Sequence, residues 1–199
     1  MRLRIVQYGS PVLRTKGRRI EQIDDRIRQL AGDMLETMRA ANGVGLAAQQ
    51  IGEALQLTTV DVSQVEDRPS TLKLNGEPVD PKAASPLVLI NPEIELGTAT
   101  EIGIEGCLSF PEITGDIERA ETVRARALTL DGSNIELEAS GLLARALQHE
   151  IDHLNGILFI DRMNSAAKAA LASRLRKMQK ETERGIRKSR KSLEPEAAL

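Results

Sequence analysis

Between residues 23 and 42 the apolar positions fall about one helical turn apart. Ile23, Ile27, Leu30, Met34 and Met38 recur at spacings of four, three, four and four. That period predicts an amphipathic helix over 24–42. Asp24 and Asp25 suit its positive N-terminus, and Gly43 is a natural stop. The pattern then changes. "QLTTVDV" (56–62) reads as a strand, and "PLVLINPEIEL" (86–96) and "ETVRARALTL" (121–130) alternate as strands do. "DGSNIELEA" (131–139) reads as a turn and a returning strand. Residues 64–85 are polar and broken by Pro69, Pro78 and Pro81, which predicts a surface loop with room for a small hairpin. Helical spacing returns after Ser140, the expected cap of a helix running to about Asn155 with Gly156 as its stop. A last helix is expected from about Ser165 to Arg190. Strands in the middle flanked by helices give an α+β class, with no internal repeat.

Composition narrows the function classes. A chain of 199 residues suits one domain with room for an appendage. It is 41% hydrophobic but has only Tyr8, Phe110 and Phe159 as aromatics, so its core is expected to be aliphatic. No apolar run approaches the ~18 residues of a membrane helix. "MRLRIVQYGSPVLR" has no apolar signal core, so neither a span nor a targeting extension is expected. A single cysteine, Cys107, excludes an internal disulfide and fits a reducing compartment. The net charge of −2 hides an asymmetry: residues 165–193 hold ten Lys/Arg against two acids, so the rest of the chain is acidic. Such a segment is either a solvated helix or a contact for a polyanion.

The chemistry concentrates in "149-HEIDH-153". Histidines at i and i+4 share a helical face and can share a metal, and they are the only histidines in the chain. At about 100° per residue, His149, His153, Leu142 and Ala146 fall on one side, and Leu143, Leu147, Ile151 and Leu154 on an aliphatic side. Glu150 lies between, placed to reach a metal-bound water without being a ligand. One metalloprotease class adds a third histidine six residues after the second, but Phe159 stands there. The acids after His153 lie mostly in the basic tail. Cys107 in "105-EGCLS-109" is the remaining strong donor, and Cys107, His149 and His153 would leave one position open for water. Cys107 as a nucleophile paired with a histidine is the alternative, but it leaves the paired histidines and Glu150 without a role.

Three segments, "43-GVGLAAQQ-50", "105-EGCLS-109" and "148-QHEIDHLNG-156", resemble in order and content the three signature motifs of peptide deformylases. The similarity covers most of residues 1–163. The resemblance implies antiparallel strands packed around a central helix carrying HExxH, with an N-terminal and a C-terminal helix. It implies a catalytic domain over 1–163 and a basic helix and tail over 164–199. It implies removal of the N-formyl group from the initiator methionine of nascent polypeptides in the cytoplasm, giving formate and a free amino terminus. Cys107, His149 and His153 are expected to hold one divalent metal, natively Fe2+, with Zn2+, Ni2+ or Co2+ able to replace it.

Glu150 is then the proton shuttle, and Gln50 with the backbone N–H of Leu108 the oxyanion donors. Gly43, Val44, Gly45, Glu105 and Gly106 are expected at the substrate, with Val44, Leu142 and Ala146 toward the methionine side chain. Gln148 and Asp152 are expected to support the site, and Glu105 to hold the Cys107 loop by pairing with Arg119 or Arg145. The basic C-terminal helix resembles the tail with which some bacterial members dock on the ribosome. Two features depart from the pattern: residues 64–85 are long, and Thr114 stands near where bacterial relatives of the simpler class often carry an arginine. A metallopeptidase of other specificity, and an inactive deformylase-like ribosome-binding protein, are the other classes considered. The "EGCLS" loop argues against the first and Glu150 against the second.

Overall fold

In the computed structural model, which describes residues 1–191 with the side chains of 1–189, the chain is α+β with antiparallel strands. The end of the expected C-terminal tail, 192–199, lies outside the described residues. Helix α1 (Asp25–Ala40) begins where Asp24 accepts a hydrogen bond from the Ile27 N–H at 2.9 Å. Its core face is Ile27, Ala31, Met34 and Met38, while Ile23 and Leu30 lie only partly buried beside it. The strands are β1 (Gly45–Ala47), β2 (Leu57–Val60), β3 (Ser70–Leu74) and β4 (Glu77–Val79). After a short α2 (Pro81–Ala84) come β5 (Leu87–Leu96), β6 (Thr100–Cys107), β7 (Phe110–Ala120), β8 (Thr122–Leu128) and β9 (Asn134–Ser140). Helices α3 (Gly141–Leu154), α4 (Phe159–Arg162) and α5 (Ser165–Lys191) close the chain.

Seven strands form one antiparallel sheet in the order β1-β2-β5-β8-β9-β3-β4, and β6 and β7 form a separate hairpin. The segment 64–85 is therefore more than a surface loop. Its hairpin β3–β4 joins the main sheet beside β9, through pairs such as Leu72 with Ala139. Helix α3 packs across β1, β2 and β3 and touches β7. Every residue from Leu142 to Leu154 is buried. The expected two-sided helix thus has a third buried side, occupied by the polar Arg145, Gln148 and Asp152.

Both ends of α3 are held from a distance in sequence. Ser140 occupies the cap position, but its hydroxyl pairs with Thr71 at 2.6 Å; the hydroxyl of Ser70 instead accepts from the Leu143 N–H at 2.9 Å. At the other end the Leu154 carbonyl accepts from Gly17 N–H and from the side-chain amides of Gln49 and Gln56, at 2.8, 3.3 and 3.0 Å. The histidine helix is fixed at both ends, which a metal centre built on it needs.

The core is aliphatic apart from one cluster. Tyr8 stacks on Phe110 with ring centres 4.9 Å apart, and Phe110 meets Phe159 edge-on at 5.1 Å. Leu175 of α5 is buried in the same cluster. The first half of α5, which the sequence places in a separate C-terminal unit, is thus packed onto the body.

Candidate metal centre and cleft

Cys107 ends β6, and His149 and His153 face it from successive turns of α3. Their ligand atoms all lie within 4.8 Å of one another, and Cys107 Sγ is 3.3 Å from His153 Nε2. Bonds of ~2.0–2.3 Å to a tetrahedral ion would separate such atoms by about 3.3–3.8 Å, so this thiol and two imidazoles fit a divalent metal. Two buried side-chain atoms beside them have no protein partner: Glu150 Oε2 and His153 Nδ1. A buried polar atom left unpaired is costly in a site built only for stability. Phe159, which removes the third-histidine possibility, lies behind the His149 ring at 6.0 Å.

Glu105 orients the first histidine. Its Oε2 is 2.9 Å from His149 Nδ1, so Nε2 is the ring nitrogen left for the cluster. Arg119 donates to both oxygens of Glu105, at 2.9 and 3.0 Å, and Arg145 donates to Oε1 at 3.0 Å. Burial opposes ionisation of Glu105, but hydrogen bonds from His149 and Arg119 overcome it and hold the carboxyl at about 2. The sequence offered Arg119 or Arg145 as the partner; both are used. It also placed Glu105 among the substrate contacts, but the carboxylate is fully taken by these three partners. Only the backbone of Glu105 is left to face substrate.

Arg119 reaches on to Asp152 at 2.5 Å, which Arg162 grips at 2.7 Å. Gln148 donates to the Ala120 carbonyl and accepts from its N–H, at 2.9 and 3.0 Å, clamping the end of β7 to α3. These pairs tie β7 to the histidine helix, and Arg119 carries the tie on to Glu105 of the Cys107 strand.

Burial raises the Glu150 carboxyl; the charge of His149 pulls the other way, and the balance leaves it pushed up to about 7. Burial also opposes charge on His149, but Cys107 and Glu105 raise it well above the ordinary histidine range. Burial and the neighbouring His149 push His153 well below that range. Of these groups Glu150 is not among the clustered ligand atoms, and a cleft carboxyl pushed toward neutral pH suits acid–base chemistry.

A cleft of about 610 Å³ opens over these groups. Its walls include Gly43, Val44, Gly45, Gln50, Glu105, Gly106, Cys107, Leu108, Leu142, Ala146, His149 and Glu150, and His153 lies buried behind. Every site residue nominated from the sequence is thus brought to one place. Gln50 is fixed by its Oε1, which accepts from the Ala47 N–H at 2.8 Å. Its Nε2 points at Cys107 Sγ, 3.4 Å away. Gly45 is small because Glu150 is there: a Cβ would come within 2.6 Å of the Glu150 carboxyl carbon. Thr114 also lines the cleft.

The sequence reading missed the N-terminal wall. Val6 N–H donates to the Gln50 carbonyl at 2.8 Å and Tyr8 N–H to that of Ser109 at 2.9 Å, and Ile5 and Gln7 face the cleft. No local pattern distinguishes this extended segment from an ordinary terminal strand.

A family model described as polypeptide deformylase matches residues 2–169. The peptide deformylase of Opitutus terrae is 45% identical over 184 residues, covering 92% of this chain and 95% of the relative. That of Methylacidiphilum infernorum is 44% identical, over 90% of this chain and 94% of its own. Among solved structures, a peptide deformylase from Thermotoga maritima superposes with TM-score 0.71 and 37% identity, over 82% of this chain and 99% of that one. A peptide deformylase from Synechococcus elongatus in complex with actinonin gives TM-score 0.74 and 40% identity, over 86% of this chain and 87% of that one.

Proposed function

The chain belongs to the polypeptide deformylase family and hydrolyses the N-formyl group of nascent polypeptides; on that footing we propose which of its residues hold the metal and move the protons. The observation that carries the assignment is the juxtaposition of Cys107, His149 and His153 with the unpaired Glu150 Oε2.

Cys107, His149 and His153 would hold one divalent ion, which when bound acidifies a water and polarises the formyl oxygen. Ferrous iron is the native ion in this reading. A thiolate with two imidazoles also accepts zinc, nickel or cobalt, so supply decides which is found. The substrate chain lies along Gly43–Gly45. Strand β1 is at the edge of its sheet, so an extended peptide can pair with it as an added strand, with the methionine side chain against Val44, Leu142 and Ala146. Glu150 takes a proton from water as the water adds to the formyl carbon, and returns one to the departing nitrogen. The Gln50 amide and the Leu108 N–H stabilise the oxygen on which charge builds. The C–N bond then breaks to formate and a free amine.

The outer face of α5 carries exposed Arg176, Lys180, Arg184 and Arg187 at helical spacing, away from the body. This stripe suits docking on ribosomal RNA, with the enzyme acting in the cytoplasm where nascent chains emerge. Binding would then weaken steeply with salt. No described helix is long and apolar enough to cross a membrane.

The testing experiment is anaerobic purification with metal analysis, alongside formate release from formyl-Met peptides. Stoichiometric metal with formate release is expected, with metal lost on replacing Cys107. Turnover of blocked internal peptides in preference to formyl-Met peptides would reject the reading.

A further inference from the structure

Next to the cleft a second groove, of about 820 Å³, runs between α5 and the N-terminal segment. The two share Gln7, Pro111 and Glu112 in their walls. From Arg174 to Ser189 the groove takes α5 residues at alternating steps of three and one, so a single face of the helix lines it. At 1.5 Å per residue that face is about 22 Å long. Met178, Thr182 and Ile186 on it are half-buried, as are Val6 and Ile51 across the groove. The helix is fixed beside the cleft. Leu175 is buried in the body, Arg174 pairs with Glu112 at 3.1 Å, and a Cβ on Gly9 would strike the Gln179 backbone at 2.8 Å.

Gly185 lies in this wall, and a Cβ there would meet nothing within 4 Å. Glycine is a poor residue inside a helix, and close packing does not require it here. A side chain added there would project into open space along the groove wall.

We propose that this groove receives the downstream residues of the formylated chain, held extended between α5 and residues 3–7. The proposal rests on the deformylase reading of the neighbouring cleft, whose walls it shares. A face of about 22 Å spans roughly six extended residues. Apolar side chains of the nascent chain would lie against Met178 and Ile186, so that α5 selects for length on its inner face.

The test compares a formyl-Met tripeptide with a formyl-Met nonapeptide on the full, metal-loaded chain. The longer peptide should show KM lower by about tenfold at unchanged kcat, the mark of added uniform binding. Gly185→Trp, which fills the groove, should erase that gain and leave the tripeptide unaffected, while Gly185→Ala keeps it. Should Gly185→Trp fail to fold, Ile186→Glu on the same face is expected to erase the gain likewise. Equal KM for both peptides in the parent overturns the proposal, as does a filled groove that keeps the length effect. A parent that releases no formate even from the tripeptide refutes the cleft's assignment instead, so the two failures are distinct.

Discussion

Glu105 Oε2 lies 2.9 Å from Nδ1 of His149, and the same carboxylate is held by Arg119 and Arg145. The carboxylate fixes the ring's tautomer and turns Nε2 toward Cys107. Glu105→Gln should therefore weaken metal binding by about 10–100-fold, the usual effect of removing such a support. Competition against a chelator measures it. Unchanged affinity would remove Glu105 from any role at the centre.

The same carboxylate sets an acid limit on stability. Its pKa in the fold, about 2, lies below its ordinary value of 4.5. Its contribution is complete above the ordinary value and is lost as pH falls through about 2. A displacement of this size corresponds to about 3 kcal/mol. Urea unfolding from pH 5 to 2.5 should show stability falling more steeply in the parent than in Glu105→Gln. Other paired acids such as Asp61 titrate in both proteins and cancel in the difference.

Glu150→Gln should lower kcat by about 10²–10⁴-fold, the range for a general base. Metal content should stay at the parental level, because Glu150 is not among the three clustered ligand atoms. In the metal-free protein its raised pKa means that stability falls as pH rises from the ordinary 4.5 through about 7, so the metal-free Gln variant should be at least as stable at pH 8. Parental deformylation by this variant would overturn the assigned base.

The histidine helix and Cys107 were legible because their signals are local or arithmetical. The i, i+4 spacing is local, about one helical turn, and two histidines left few other donors. The hairpin of β6 and β7 was not legible, and the reason is physical. Along β6, Ile102 and Ile104 are 73% and 65% exposed while Glu105 is 6% exposed, so the usual alternation of buried apolar and exposed polar residues is inverted. The site requires a buried carboxylate on that strand, and the pattern is sacrificed to it. The supports from Ser70, Gln49 and Gln56 escaped for another reason. They reach α3 across 73 to 105 residues of chain, and no window of sequence encodes such a pair.

That distant support gives a stability test. Ser70→Ala removes the acceptor of the Leu143 N–H and should cost about 1 kcal/mol, as loss of a helix cap does. For a chain of this size the melting temperature should fall by about 2–4 °C. Ser140→Ala, which loses only a pair with Thr71, should cost less. The reverse order would restore Ser140 as the cap.

Gly45 and Glu150 are sterically coupled. A Cβ at position 45 would lie 2.6 Å from the Glu150 carboxyl carbon and 2.7 Å from its Cγ, so Gly45→Ala must push that side chain away. The backbone itself can stay, since Gly45 sits in β1 opposite Val60. A reacting group misplaced by about 1 Å can cost 10²-fold, so kcat should fall by that order with metal content unchanged. Gly45 also lines the cleft, and a loss of substrate contact would lower turnover too. The double variant separates the two causes. If the added methyl acts by moving the carboxylate, then Gly45→Ala combined with Glu150→Gln should be no slower than Glu150→Gln alone, because the displaced base is already gone. Multiplying losses would instead show that Gly45 acts on the substrate, independently of Glu150.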